Sequence, residues 1–401
     1  MQNDLRNINS VQFLSLPPNE LEKTGSLHTA MEISQQPELW TKTYELVREN
    51  KSRINSFVSK VLSISDIQVV LTGAGSSAFI GGILQGPFTK HTGHTARAVA
   101  TTDLLTHPDY YINSGKPVLL VSFARSGNSP ESMAVVSLLN SICRNVYHLI
   151  ITCNAEGKLA TDSGSEDKTL VLLLPRETDD KSLVMTSSFT SMLLAGLLIA
   201  RIDEIEELRL QVNTLCRYGS RIISQFTSKL KEVSSLDFDR VVFLGSGPLL
   251  GAAEESQLKV QELTDGKVVG KFDSYLGFRH GPKAVINSTT LIVYLLSNEE
   301  YPFNYETDLV RDVNTKAKAM YSIGVIESGG ENLNIDLLLK LSDSNSTVDE
   351  EFKAVCDVLP AQILGFFYAR KLGLKPDNPS QSGAITRIVQ GVNIYPFERS
   401  L

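Results

Sequence analysis

Apolar residues in this chain fall into short unbroken runs, and the most prominent runs end at turns rich in Gly and Ser. Val69-Val70-Leu71 runs into Gly73-Ala74-Gly75-Ser76-Ser77, and Val118–Val121 leads towards Arg125-Ser126-Gly127-Asn128-Ser129. His148–Cys153 and Leu170–Leu174 are two further runs. Continuous apolar runs of this length predict strands buried on both faces, and the helical patterns between them predict parallel α/β units. The pattern then returns. Val241–Leu244 leads into Gly245-Ser246-Gly247, which lays Gly73 on Gly245 and Gly75 on Gly247 at an offset of 172. The same offset lays Val118–Val121 on Thr290–Val293 and Leu149–Cys153 on Tyr321–Val325. Three strands at one offset predict a single α/β domain used twice, joined by a largely helical stretch over Leu193–Tyr218. The predicted division is an arm with a helix over 1–44, a first domain over 45–210, a second over 211–375 and a tail over 376–401.

Composition narrows the class without changing that picture. The 401 residues carry 38 Lys+Arg against 45 Asp+Glu, a formal charge of −7, with 42% hydrophobic and 21% charged residues. That is ordinary globular composition, and the acidic balance argues against a nucleic-acid partner, which needs clustered cations. The longest purely apolar run is Met192–Ala200. It falls well short of the roughly 20 residues of a membrane span, so it predicts a buried helix and no membrane partner. Met1-Gln2-Asn3-Asp4 begins no apolar signal region. Cys143, Cys153, Cys216 and Cys356 show no metal or CxxC spacing, as expected for free thiols of a reducing cytoplasm.

Two sets of residues carry candidate chemistry. The first is Gly75, Ser76 and Ser77 with Arg125, Ser126, Gly127 and Ser129. Gly allows close backbone approach, a helix N-terminus offers free N–H groups, and Ser hydroxyls donate to an anion; such turns also simply cap helices. Neither loop is a Walker A sequence, and Gly73-Ala74-Gly75 is followed by Ala78 where a dinucleotide fingerprint has Gly. In the second copy these positions read Gly247-Pro248-Leu249 and Ser297-Asn298-Glu299-Glu300, poor phosphate donors, so that copy is expected to have lost the site. The second set is Glu255, Lys259 and Glu262, which share one helix face, and His280 in Arg279-His280-Gly281-Pro282. The three helical residues read either as a solvated ion-paired face or as an acid–base device, and His280 either as an ordinary imidazole or as a proton donor.

Together, Gly-x-Gly-Ser-Ser, Arg-Ser-Gly-Asn-Ser, Leu-Lys-Val-Gln-Glu-Leu and Arg-His-Gly-Pro make the chain resemble the SIS (sugar isomerase) domain family. It is similar to the isomerase half of glucosamine-6-phosphate synthase and, more closely, to the galactosamine-6-phosphate deaminase/isomerase group, also labelled tagatose-6-phosphate ketose/aldose isomerase. The resemblance runs from Glu32-Ile33 and Gln36-Pro37 to Asp377-Asn378-Pro379 and Ile394-Tyr395-Pro396. It implies two tandem SIS domains, each a parallel sheet flanked by helices in the flavodoxin-like three-layer manner. It implies that Gly75, Ser76, Ser77, Arg125, Ser126, Gly127 and Ser129 clamp a sugar phosphate. Glu262 would move a proton between C1 and C2, with Lys259 and Glu255 behind it. His280 would open the sugar ring, reaching in from a neighbouring subunit of a homodimer or dimer of dimers. Arg387 stands where the family has a lysine in its C-terminal loop, so the tail would close the site, and Thr186 and Ser187 match a substrate-contacting loop. No metal or cofactor is expected. Ala124 replaces a usual phosphate-binding Ser, and the glutaminase half of the synthase is missing, which favours release of ammonia over its incorporation. The expected substrate is a phosphorylated hexosamine, with plain isomerisation of a phosphorylated hexose or non-catalytic sensing as the alternatives.

Overall fold

A computed structural model of the chain describes residues 12–162, 164–165, 167–342, 346–389 and 391–397, so the predicted arm and tail lie partly outside the described residues. Among these residues the strands form two sheets. The first contains β1 (Gln68–Thr72), β2 (Ala96–Ala98), β3 (Val118–Ala124), β4 (Val146–Thr152) and β5 (Thr169–Leu173), in the order β2-β1-β3-β4-β5. The second contains β6 (Arg240–Leu244), β7 (Val269–Asp273), β8 (Thr290–Leu295), β9 (Tyr321–Ile326) and β10 (Leu337–Lys340), in the order β7-β6-β8-β9-β10. All pairings are parallel. Both sheets thus have the flavodoxin-like order, as expected for two tandem SIS domains. β3 and β8 are buried along their whole length because helices cover both faces.

The repeat holds for the first strands and shifts for a later one. Val69 pairs with Leu119 as Val241 pairs with Leu291, at the predicted offset. Leu119 then pairs with Tyr147, whereas Leu291 pairs with Tyr321. Tyr321 is therefore the counterpart of Tyr147 and not of Leu149, a correction of two residues. Two residues is the one small slip a strand tolerates without turning its apolar face outward, so the sequence pattern did not reveal it.

The helices that matter for the chemistry are α1 (Leu27–Ser34), α2 (Gln36–Glu49), α3 (Ser76–Thr92), α4 (Pro130–Ile142), α5 (Ser187–Ala200), α6 (Pro248–Leu263), α7 (Glu300–Lys316), α8 (Glu350–Cys356) and α9 (Leu359–Lys371). The helix expected in the arm is two helices, α1 and the start of α2, parted at Gln35. The segment Glu350–Lys371 is long and apolar enough to cross a membrane by length and composition, but it is wholly buried as core helix.

The chain forms two compact units. One carries the first sheet and comprises Lys42–Asp179, Ser188–Arg209 and the tail from Ile385; the other carries the second sheet, with the chain up to Thr41, Asp180–Ser187 and Leu210–Ala384. They interleave along the chain, unlike the contiguous 45–210 and 211–375 read from the sequence. Long-range hydrogen bonds give the reason. Asp377 accepts from the Thr29 amide at 2.8 Å, and its carbonyl accepts from the Leu183 amide at 3.0 Å. The arm and the 180–187 loop are thereby tied to the second sheet.

Candidate active site

In the unit of the first sheet, β1 and β3 are hydrogen-bonded neighbours whose chains continue in opposite directions across the sheet, to β2 and to β4. In open parallel sheets that switch point leaves a crevice at the carboxyl ends of the strands. Both predicted phosphate loops emerge there. Gly75 takes φ +57°, a conformation that L side chains rarely adopt, and so turns the chain into α3 with Ser76 and Ser77 as its first residues. Both serines are buried. After β3 the Ser126 hydroxyl accepts from the Asn128 amide at 3.3 Å, and Asn154 holds the Ser126 carbonyl at 2.9 Å. Ser129 precedes α4 without its side chain bonding the helix amides. Ser126 and Gly127 are buried, and their amides have no acceptor among the described residues. Amides without a protein partner at such an edge are donors of the kind an anion cradle needs.

Arg125 and Arg387 belong to the same unit. The Arg125 guanidinium donates to the Arg387 carbonyl at 2.7 Å, and the Arg387 guanidinium pairs with Asp179 at 2.6 Å. The tail thus anchors on the loop that carries these amides. Asp179 was not singled out from the sequence: it stands 208 positions from its partner, in an unremarkable acidic loop.

In the unit of the second sheet, Glu255, Lys259 and Glu262 lie along α6. Lys259 sits 3.3 Å from Glu255 and donates to Glu262 at 2.6 Å. The side chains of Glu255 and Lys259 are 0% and 1% exposed, against 23% for Glu262. This excludes a solvated face, and only the Glu262 carboxylate reaches outward. Burial opposes the charge on Lys259, but the two carboxylates outweigh it and hold the ammonium above its ordinary range. The α6 face is buried because α9 packs on it, and Gly365 permits the approach: a Cβ there would meet Leu263 at 2.8 Å.

His280 is exposed, past the short helical turn Tyr275–Phe278 that follows β7. Tyr275 and Phe278 pack in the core with Leu309, Val310 and Val313 of α7. α6 connects β6 to β7, and the 275–280 segment returns from β7 across β6 to β8. Right-handed crossovers therefore place the two on opposite faces of the second sheet. Within one chain, Glu262 and His280 are not brought together.

Thr186, just before α5, and Ser187, its first residue, are fully buried. Asp180 accepts from the Thr186 amide at 2.8 Å and from the Ser187 hydroxyl, while Gln35 donates to that hydroxyl at 3.2 Å. Glu32 closes the loop's other end, accepting from the Ser182 amide at 3.2 Å and from the Ser182 hydroxyl. Burial, then the nearby Asp180, pushes the Glu32 carboxyl up to about 8. Glu32 stood in the sequence only as part of a motif, and its partners 149 and 150 positions away carry no local signal. His148 is a core histidine, its ring pushed down to about 4 by burial and bonded to Asn140 at 3.0 Å. No cysteine forms a disulfide among the described residues; Cys216 is only partly buried.

The chain matches the SIS domain family over residues 62–201. It is 38% identical over 388 residues to the D-galactosamine-6-phosphate deaminase AgaS of Shewanella sp. (strain ANA-3), covering 96% of each chain. It superposes with a TM-score of 0.83 on the tagatose-6-phosphate ketose/aldose isomerase of Escherichia coli, at 36% identity over 93% of this chain and 97% of that one. A protein of Clostridium novyi NT, provisionally given the same isomerase name, superposes with a TM-score of 0.92 at 36% identity over 96% of this chain and 100% of that one.

Proposed function

The chain belongs to the SIS domain family, and from that premise we propose that it is a deaminating aldose–ketose isomerase converting galactosamine 6-phosphate and water to tagatose 6-phosphate and ammonia. The observation that carries the acid–base part is the buried Glu255–Lys259 pair with Glu262 as its outward carboxylate. The substrate class rests on the relatives, one named as a galactosamine-6-phosphate deaminase and one as a tagatose-6-phosphate isomerase.

The residues divide the work as follows. Gly75, Ser76, Ser77, Ser126, Gly127 and Ser129 hold the phosphate with loop amides and hydroxyls, and Arg125 adds positive charge. Binding this group, far from the reacting carbons, positions the sugar. Ring opening needs a proton on the ring oxygen, for which imidazole is suited near neutral pH. Glu262 then removes the proton from C2 and returns it to C1. The product is a ketimine, and water adds to its C=N carbon and expels ammonia to leave the ketose. Lys259 steadies the charge on Glu262 as it alternates between base and acid, and Glu255 balances Lys259. Arg387 and Asp179 hold the tail beside the phosphate loop. Thr186 and Ser187 are fully buried in a loop fixed by Asp180 and Glu32, so they act through that loop rather than as a donor set.

His280 acts in the site of a second copy, so the working form is a homodimer or dimer of dimers. Its exposure, and its placement on the face of the sheet opposite α6, support this. Mixing Glu262→Gln chains with His280→Ala chains restores partial activity on this reading; no recovery, with subunit exchange confirmed, returns His280 to its own chain's site.

The deciding assay incubates the protein with galactosamine 6-phosphate and with glucosamine 6-phosphate and follows ammonia. Ammonia from the galacto compound is expected. Interconversion of unaminated hexose phosphates without ammonia would make the chain a plain isomerase. A rise in melting temperature without consumption would make it a sensor.

A further inference from the structure

The turn at the carboxyl end of β6 is built like the Gly75 turn at the end of β1. Gly247 takes φ +53° and ψ −127°, against +57° and −131° for Gly75. The turns that follow share their hydrogen bonds: Leu249 amide to Ser246 carbonyl as Ser77 amide to Ala74 carbonyl, and Leu250 to Gly247 as Ala78 to Gly75. After β8 the Ser297 hydroxyl accepts from the Glu299 amide at 3.0 Å, a turn of the same kind as that of Ser126 with Asn128 but one position earlier in register and without a counterpart of the left-handed Gly127. β6 and β8 flank the switch point of the second sheet as β1 and β3 do in the first.

The contents differ. A Cβ at Gly75 would meet nothing within 4 Å, whereas one at Gly247 would find a Glu350 carboxylate oxygen at 3.7 Å. Glu350, the first residue of α8, accepts the Ser297 hydroxyl, and Glu306 of α7 accepts the Ser297 amide at 2.7 Å. The other Glu306 oxygen is buried, and the Ser246 hydroxyl lies beside the same carboxyl. Burial pushes both carboxyls above their ordinary range, and Lys353, one turn along α8 and fully buried, opposes that shift.

We propose that the second sheet retains an oxyanion-binding cradle formed by the Gly247 turn and Ser297, and that the chain's own Glu350 carboxylate is its resident anion. The turn keeps its course but not all its donors: Pro248, in place of Ser76, has no amide N–H, and the Glu350 carboxylate takes the space an external anion would need. With Glu350 shortened, it takes a tetrahedral oxyanion such as inorganic phosphate, with the Ser297 hydroxyl as donor. A proton on Glu306 supplies a further hydrogen bond.

The test counts inorganic phosphate bound per chain by titration calorimetry, alongside denaturant unfolding with and without phosphate, in full-length protein. The unaltered chain binds one phosphate, at the first sheet. Glu350→Gly and Glu350→Ala each bind two, and phosphate at saturation returns most of the stability they lose. Glu350→Gln, which still fills the cradle, binds one. The proposal is overturned if neither shortened variant gains a second phosphate or is restored by it, or if Glu350→Gln also binds two.

Discussion

At the carboxyl edge of the first sheet the amides of Ser126 and Gly127 are buried without an acceptor among the described residues; at the same edge of the second sheet Ser297 gives its amide to Glu306 and its hydroxyl to Glu350. The backbone differs too: Gly127 is left-handed at φ +65°, and no residue of the loop after β8 is. What the second loop has in addition is a pair of carboxylates borne by α7 and α8. On the reading proposed above, side chains from elsewhere in the chain decide whether a ligand or the protein satisfies the donors at a strand end. The second copy differs in a further place, along α6, where Lys259 is buried between two carboxylates, the pair that the proposed function uses for acid–base chemistry.

The strongest way to break this contrast is at Glu262. Glu262→Gln is expected to lower kcat by about 100- to 10,000-fold, the range for losing a general base, with phosphate-dependent substrate binding largely kept. Survival of activity within about tenfold would remove Glu262 from that role. Next comes the phosphate end. Arg125→Ala deletes a charged donor worth about 1.5–3 kcal/mol and should raise KM roughly ten- to a hundredfold, while Ser297→Ala leaves KM unchanged. A shift in KM from Ser297→Ala would mean that the second cradle takes part in catalysis. The effect of Ser297→Ala should instead appear in denaturant unfolding, as a loss of about 1–3 kcal/mol from leaving Glu350 short of a donor.

The smallest expected effect is in the pH dependence of stability. Burial above all, then the neighbouring Glu350, sets the Glu306 carboxyl at about 7 against an ordinary 4.5, although the Ser297 amide and Ser246 hydroxyl pull it down. The folded chain therefore holds this proton more tightly than the unfolded chain. Its contribution is complete below about pH 4.5 and is lost as pH rises through about 7. Across that window Glu306→Gln should flatten the decline by up to roughly 1 kcal/mol per pH unit. An unchanged slope would show that Glu306 is ionised in the folded chain throughout.

Much of this was legible in the residues. Strands buried on both faces announce themselves as unbroken apolar runs, and Gly75 and Gly247 announce turns that few other residues can make, so both sheets and both pairs of strand-end loops follow from local pattern. The spacing of Glu255, Lys259 and Glu262 is likewise local, because a helix puts them on one face whatever surrounds it. Whether that face is dry is not local. Only the packing of α9 on α6 buries Lys259, and that contact joins parts of the chain about a hundred residues apart. The same limit applies to the Glu32 clasp, the Arg387–Asp179 tether and the carboxylates at Ser297, whose partners are 53 to 208 positions away for all but Glu306. A sequence fixes which chemistry each element can present, through short-range sterics and periodicity. Tertiary structure alone decided which of these groups lose water and which charges they then face, because desolvation and long-range pairing depend on what packs against a residue and not on its neighbours in the chain.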